Sequence, residues 1–148
     1  MKKLILGAGK HFEKLPDHVY CDIMPFPGID VVHDLNLTPW PFNDNEFGLV
    51  AAIQLVEHLQ SLVSFMNEAH RVLCKGGELY LETPTAGVDI DLTHADPTHV
   101  RCYRPHTFLN YFTLQGVERW GYTDRAWSVR FITQANEANM RVSLEPLK

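Results

Sequence analysis

The sequence predicts an α/β fold built on a mostly parallel, doubly wound β-sheet, and three observations favour it. A short apolar run at the start of the chain ends in a glycine turn at Gly7 and Gly9. Residues 40–84 then read as a strand, an acidic-histidine turn, an amphipathic helix, a glycine turn and a further strand. A strand, a helix and a second strand of these lengths form a parallel crossover unit, whose strand ends border a ligand crevice.

The composition is that of one globular domain spanning residues 1–148, with 45% hydrophobic and 21% charged residues. A net charge of −5 and scattered basic residues argue against a nucleic-acid partner. The chain lacks the roughly 18 consecutive apolar residues of a membrane span, and its start is too polar for a signal peptide. We therefore expect a cytoplasmic protein with reduced cysteines, which is compatible with a homodimer.

Five apolar runs are predicted to form buried strands, at about residues 3–6, 19–22, 30–33, 47–52 and 78–83. Only about a dozen residues separate Gly9 from Asp22, and Pro16 interrupts them. The first crossover therefore has room only for a very short helix or a loop.

A helix is predicted between the fourth and fifth strands. Apolar side chains recur there at helical spacing: Leu59, Leu62, Val63, Met66, Ala69, Val72 and Leu73. Lys75, Gly76 and Gly77 supply a positive last turn and a glycine stop. Residues 85–105 are polar, a second helix is predicted at 106–114, and two final strands at about 128–133 and 140–145 flank a polar turn.

Residues that follow the first three strands have the chemistry of a nucleoside site. Glycines at positions 7 and 9 let the backbone approach a ligand, although they equally suit a tight turn. Asp22 can accept hydrogen bonds from both hydroxyls of a ribose, and Asp34 can accept from an adenine amino group while Leu35 packs on the ring. For both aspartates, capping of a turn is the competing interpretation.

These segments together resemble a known family. LILGAG, YCDI, VVHDLN, PFNDNEFGLVAAIQLVEHL and NEAHRVLCKGGELYLETP resemble the class I S-adenosylmethionine-dependent methyltransferases, in particular the methyltransferase type 11-like group. The resemblance runs from residue 3 to about residue 84, and HADPTHVRCYRPHTFLNYF resembles the following segment of some bacterial members. It implies a Rossmann-like sheet of seven strands in the order 3-2-1-4-5-7-6 with strand 7 antiparallel, and S-adenosyl-L-methionine as the cofactor.

Position by position, the resemblance implies a cofactor site and three segments. Its cofactor-binding residues would be Gly7, Gly9, Asp22, Ile23, Asp34, Leu35, Ile53 and Gln54. Residues 1–84 would be the cofactor-binding half, 85–127 the substrate or lid segment, and 128–148 the terminal strand pair. The chain departs from the family pattern at Gly48, where aspartate is usual, and at Lys10 and His11; it also starts at the first strand, without the usual covering helix.

The polar segment after the fifth strand is predicted to contact the methyl acceptor. Methyl transfer depends mainly on positioning, but a hydroxyl or protonated amine acceptor needs a general base. The candidates for that base are the histidines His58, His94 and His99. The predicted substrate contacts are Asp96, Arg101 and Tyr103. A metal site in this histidine-aspartate segment was the weaker alternative because the spacing fits no known motif, and no metal is predicted.

We therefore predict an S-adenosylmethionine-dependent methyltransferase acting on a small-molecule acceptor. An NAD-dependent dehydrogenase is disfavoured by the missing third glycine of the dinucleotide fingerprint. A catalytically degenerate binding or scaffold protein is the alternative that stays open.

Overall fold

The computed structural model describes residues 1–86, 95–136 and 138–148. Seven strands form one sheet: β1 (Lys3–Leu6), β2 (His18–Asp22), β3 (Val31–Val32), β4 (Phe47–Ile53), β5 (Leu73–Pro84), β6 (Trp127–Gln134) and β7 (Asn139–Pro146). Their order is β3-β2-β1-β4-β5-β7-β6. The first five strands pair in parallel, and β7 runs antiparallel to both β5 and β6. The predicted fold class and strand order are confirmed.

The edge strand β3 is shorter than predicted, with two residues instead of four. Asp30, which precedes it, accepts a hydrogen bond from the backbone N–H of Tyr20 through its side chain, at 2.9 Å. A short edge strand of this kind limits the unpaired backbone that a sheet exposes to other chains.

A loop replaces the first crossover helix, as the short spacing indicated. Tyr20 of β2 organises this loop: Phe12 stacks on its ring with centroids 4.3 Å apart, and its hydroxyl donates to the carbonyl oxygen of Glu13 at 3.1 Å. The same hydroxyl accepts from the N–H of Leu15 at 3.1 Å. One aromatic side chain therefore anchors a segment too short for a regular helix.

Helix α1 (Leu62–Val72) covers one face of the sheet. The side chain of Ser61 caps its first turn by accepting from the N–H of Ser64 at 3.1 Å, and Phe65, Met66 and Ala69 are buried. The predicted stop at the glycine pair is wrong, since the helix ends at Val72 and β5 begins at once. The register shifts in β5 between the partners of Phe47 and Leu49, so the glycine segment forms an irregularity within the strand.

The helix predicted at 106–114 is observed as α2 (Pro105–Tyr111), and a second short helix that was not predicted, α3 (Leu114–Trp120), follows it. Thr113 separates them: its backbone is extended, and its hydroxyl donates to the carbonyl oxygen of Leu109 at 2.8 Å. It also accepts from the N–H of Gly116 and so caps α3. A Cβ on Gly116 would lie 2.2 Å from the carbonyl oxygen of Asn110, so glycine is required for this close contact.

A partly buried ion pair joins α1 to the segment before β4. Arg71 donates to both carboxylate oxygens of Glu68, at 2.9 and 2.8 Å, and to the carbonyl oxygen of Trp40 at 3.0 Å. Glu68 in turn accepts from the N–H of Trp40, whose side chain is only 2% exposed. The network fixes the chain that leads into β4. Over the described residues, no helix is long and apolar enough to cross a membrane.

Candidate functional site

A cavity of about 190 Å³ opens at the carboxyl ends of β1 and β2. Its walls are formed by Gly7, Asp22, Ile23, His33, Asp34, Leu35, Asn36, Leu55, His58 and Leu59. Five of the eight predicted cofactor residues are among them. The remaining three, Gly9, Ile53 and Gln54, lie next to the walls in sequence but do not line the cavity.

The glycine turn and Asp22 form one hydrogen-bonded unit. Gly7 and Gly9 both have positive φ, 63° and 68°, which L side chains rarely adopt. The N–H of Gly9 donates to Oδ2 of Asp22 at 2.8 Å, and the N–H of Met24 donates to Oδ1 at 2.9 Å. Each carboxylate oxygen can accept more than one hydrogen bond, so the pair can still receive two ligand hydroxyls.

Gly7 also sets the size of the cavity. A Cβ at this position would lie 2.9 Å from Cδ1 of Leu55, which belongs to the opposite wall. A Cβ at Gly9 would have no neighbouring atom within 4 Å among the described residues. The two glycines therefore share a backbone conformation but differ in the space around them.

Asp34 caps the turn after β3 and lines the cavity as well. Its Oδ1 accepts from the N–H of Asn36 at 2.9 Å and from its side-chain amide at 3.1 Å. Asn36, which the sequence analysis missed, accepts from the N–H of Gln60 through Oδ1 at 2.9 Å. This bond joins the turn after β3 to the chain that follows the wall residue Leu59. No sequence pattern predicts it.

The residues at the end of β4 face another part of the sheet. Gln54 has a positive φ of 51°, and its side-chain amide donates to Oδ1 of Asn139 at 3.1 Å. The side chain of Ile53 is 53% exposed. Gln54 therefore contacts the start of β7, and neither side chain belongs to the walls of the cavity.

Glu57 is the most unusual residue of the site. It lies in the 3-10 helix Val56–His58 directly after β4 and has no exposed surface. Its Oε2 accepts from the hydroxyl of Thr83 at 3.1 Å, whereas Oε1 has no hydrogen-bond partner among the described residues. Burial raises the pKa of this carboxyl. Glu57 belongs to the segment PFNDNEFGLVAAIQLVEHL that carries the family resemblance, but no role was predicted for it.

Two of the predicted catalytic histidines meet beside Glu57. The backbone N–H of Val100 donates to the carbonyl oxygen of Glu57 at 2.8 Å, which brings the segment after β5 against the 3-10 helix. The rings of His58 and His99 contact edge to face with centroids 4.8 Å apart. One potential ligand atom from each of Glu57, His58 and His99 lies within 4.8 Å of the others. His94, the third candidate, lies outside the described residues.

A chain of hydrogen bonds orients His58. The hydroxyl of Thr98 donates to Oδ1 of Asp96 at 2.6 Å, because a carboxylate can only accept. The same hydroxyl lies 2.9 Å from Nδ1 of His58 and, having given its own hydrogen to Asp96, accepts a hydrogen bond from the N–H at that nitrogen. Nε2 of the neutral ring then keeps its lone pair, as a general base or a metal ligand requires.

The predicted substrate residues have three different environments. Asp96 is exposed and accepts hydrogen bonds from the hydroxyl and the backbone N–H of Thr98. These hydrogen bonds lower the pKa of its carboxyl. The side chain of Arg101 is exposed, and the backbone N–H of this residue donates to the carbonyl oxygen of Glu57 at 3.3 Å. Tyr103 is only 5% exposed and packs in the core, with its hydroxyl 3.4 Å from the carbonyl oxygen of Val56.

Comparisons with known proteins agree with this fold. The family model described as "Methyltransferase domain" matches residues 9–81, which include β2, β3, β4 and α1. No curated protein sequence gives a match.

Solved structures of methyltransferases share the fold. A SAM-dependent methyltransferase from Archaeoglobus fulgidus superposes with a TM-score of 0.66 at 15% identity, over 97% of this chain and 85% of that chain. One from Aquifex aeolicus gives 0.64 at 12% identity, over 99% and 82%. The trans-methyltransferase CalH, in complex with SAH, gives 0.67 at 14% identity over 99% of this chain, which spans about half (51%) of CalH.

At these identities the structures establish the fold, and the family model adds the sequence motifs of the domain. The resemblance seen in the sequence is therefore confirmed: residues 9–81 match the methyltransferase-domain family, and the chain has the fold of S-adenosylmethionine-dependent methyltransferases.

Proposed function

We propose that this protein transfers a methyl group from S-adenosylmethionine to a small-molecule acceptor that carries a hydroxyl or amine. One observation carries this proposal: His58 both lines the cavity at the ends of β1 and β2 and contacts the cluster of Glu57 and His99. A proton-accepting ring therefore lies between the cofactor site and the segment predicted to contact the acceptor.

In this proposal the cavity holds the nucleoside end of the cofactor. Typical ligand pockets enclose roughly 300–1,000 Å³, so a cavity of about 190 Å³ suits part of the molecule, and the remainder would extend along the open crevice. Asp22 would accept the ribose hydroxyls, while Ile23 and Leu35 would pack on the adenine. The methionine end would pass over Gly7 and Gly9 towards Ile53 and Gln54.

The chemistry needs little beyond positioning. The sulfonium is a good leaving group, so holding the acceptor in line with the methyl group supplies much of the acceleration. Nε2 of His58 would remove the acceptor proton as the oxygen or nitrogen attacks the methyl carbon, and the C–S electron pair would pass to sulfur. Asp96, Arg101 and Tyr103 belong to the segment that would border the acceptor, and residues 85–127 would form its substrate side.

The departure at Gly48 does not argue against activity. Gly48 is the second residue of β4, so it lies at the amino end of the strand, far from the carboxyl end where the cavity opens. Its N–H donates to the carbonyl oxygen of Lys2 at 2.9 Å, which is a structural contact. The scaffold alternative therefore loses one of the observations that kept it open.

Two measurements test the proposal. Calorimetry with S-adenosylmethionine, S-adenosylhomocysteine and NAD should show binding of the first two only, because a ligand stabilises the native state only if it binds there. Incubation with radiolabelled methyl donor and a panel of small hydroxyl and amine compounds should then label at least one of them. Binding of SAM and SAH without transfer to any acceptor would favour the scaffold function, and binding of NAD alone would refute the proposal.

A further inference from the structure

We propose that Glu57, His58 and His99 together bind a divalent transition-metal ion beside the cofactor cavity. The site itself follows from these three side chains, while its role in activating an acceptor rests on the proposed function. The sequence alone predicts no metal, and its histidine-aspartate segment after β5 was the alternative metal site. The glutamate that completes the set lies 42 residues before His99, and only the fold brings the two together.

The three donor atoms are close to the separation that a metal requires. They lie within 4.8 Å of one another. Ligand atoms that bind a tetrahedral ion at about 2.1 Å stand roughly 3.4 Å apart. The donor atoms must therefore move closer together by up to roughly 1.4 Å when an ion binds.

The unpartnered oxygen of Glu57 is the observation that points to a cation. A buried carboxylate is costly unless it is paired or coordinates a metal. Glu57 has no exposed surface, and its Oε1 has no hydrogen-bond partner among the described residues. Oε2 is held by Thr83, so the carboxylate is oriented, with one oxygen left for an ion.

The outer hydrogen bonds have the pattern of a metal site. Histidine ligands almost always donate their second ring N–H to a neighbouring acceptor, which fixes the tautomer. Nδ1 of His58 meets the hydroxyl of Thr98, which is itself held by Asp96. Asp96 also has Oδ2 3.9 Å from Nε2 of His99, so a single aspartate lies behind both histidines.

The donor set indicates the class of ion. Two imidazoles and one carboxylate suit Zn²⁺, Mn²⁺ or Co²⁺, whereas Ca²⁺ and Mg²⁺ prefer oxygen ligands. Three protein ligands leave a coordination position open, as in catalytic rather than structural sites. Because His58 lines the cavity, that open position would lie near the methyl donor.

An ion at this site would change how the acceptor is activated. A hydroxyl oxygen bound at the open position would lose its proton to water at a lower pH, since a metal lowers the pKa of its oxygen ligand. The resulting oxyanion would attack the methyl carbon while the C–S bond breaks and its electron pair goes to sulfur. His58 would then act as a ligand, and the proton would leave to solvent instead of to its ring.

Titration of the untagged, chelator-treated protein with Co²⁺, followed by its visible absorption, tests the site without cofactor or acceptor. Wild type should bind one equivalent, and Zn²⁺ should displace it. Glu57→Gln and His99→Ala should each weaken binding by about 100-fold or more, since even outer-shell partners of a metal are worth 10- to 100-fold. His18→Ala is the matched control, because His18 begins β2 at the opposite end of the sheet and should leave binding unchanged.

The outcomes separate this site from the proposed function. Equal Co²⁺ binding by wild type, Glu57→Gln and His99→Ala, or no binding by wild type, would overturn the metal site while leaving calorimetry with S-adenosylmethionine unaffected. Metal binding in a protein that does not bind S-adenosylmethionine would keep the site and refute its role. Melting curves of each variant show whether it folds, and His99→Ala, whose side chain is 10% exposed at the edge of the cluster, provides the test if Glu57→Gln does not.

Discussion

Replacing Asp22 by alanine should weaken cofactor binding, and the size of the loss tests the role assigned to this carboxylate. Its two carboxylate oxygens already accept backbone N–H groups from Gly9 and Met24, at 2.8 and 2.9 Å, so the side chain is held in one orientation before any ligand arrives. Asp22 is also 8% exposed at the cavity wall, where ligand hydroxyls can reach it. The variant loses both the acceptors for the ribose and the anchor of the glycine turn.

The size of the effect follows from the number of hydrogen bonds lost. A hydrogen bond to a charged group contributes about 1.5–3 kcal/mol. Two such bonds are lost, but the loss is partly offset because the hydroxyls of the unbound ligand form hydrogen bonds to water. We therefore expect Asp22→Ala to weaken binding of S-adenosylhomocysteine by about 2–4 kcal/mol, or roughly 30- to 1,000-fold. Asp22→Asn keeps one acceptor oxygen and should lose about half of that free energy.

Isothermal titration calorimetry with S-adenosylhomocysteine measures this affinity directly. Asp30→Ala is the matched control, because Asp30 also accepts a backbone N–H, from Tyr20, but does not line the cavity. It should lower the melting temperature and leave affinity unchanged. Equal affinity of wild type and Asp22→Ala would refute the assignment of Asp22, and equal losses in both variants would show that the effect is only structural.

Three further predictions concern the cavity wall and two buried carboxyls. Gly7→Ala should lose more stability and cofactor affinity than Gly9→Ala, because both have positive φ but only the methyl at position 7 would meet the opposite wall, at 2.9 Å; equal melting temperatures would contradict this. Glu68→Ala should destabilise the fold by about 3 kcal/mol, because the buried N–H of Trp40 loses its acceptor while Arg71 keeps the exposed Asp44 as its acidic partner, with folded variants keeping cofactor affinity in calorimetry. Burial opposes ionisation of Glu68, but the hydrogen bonds that it accepts outweigh burial and lower its pKa. Its stabilisation is therefore complete above the unfolded value of 4.5 and is lost as the pH falls through the lower folded pKa, which acid unfolding of wild type and variant will show. The effect on stability has the opposite sign for Glu57, because burial raises the pKa of its carboxyl and the charged form therefore destabilises the fold. Metal-free Glu57→Gln should melt at a higher temperature than wild type near pH 7, by ~2–4 °C for each kcal/mol of stability. The difference should disappear as the pH falls below the unfolded value of 4.5.

Local patterns predicted the strands and, with the family resemblance, much of the cavity wall. The strand order followed from the resemblance, and residues such as Asp22 and Leu35 follow strands whose carboxyl ends must meet at one edge of a parallel sheet. Local hydrogen bonds shifted the boundaries: the hydroxyl of Thr113 bonds to Leu109 at the end of α2 and caps α3, which was not predicted, and α1 ended before the glycines. Such side-chain bonds compete with helix continuation and leave little trace in apolar periodicity.

The cluster of Glu57, His58 and His99 depended on tertiary structure. Nothing in the spacing of these residues distinguishes them from other polar residues, because the contact joins the turn after β4 to a segment beyond β5. Burial of the Glu57 carboxylate, the tautomer of His58 and the hydrogen bond between Asn36 and Gln60 are properties of the packed chain. Strand ends are set by short-range hydrophobic patterns, whereas desolvation and long-range hydrogen bonds exist only once distant segments pack against each other.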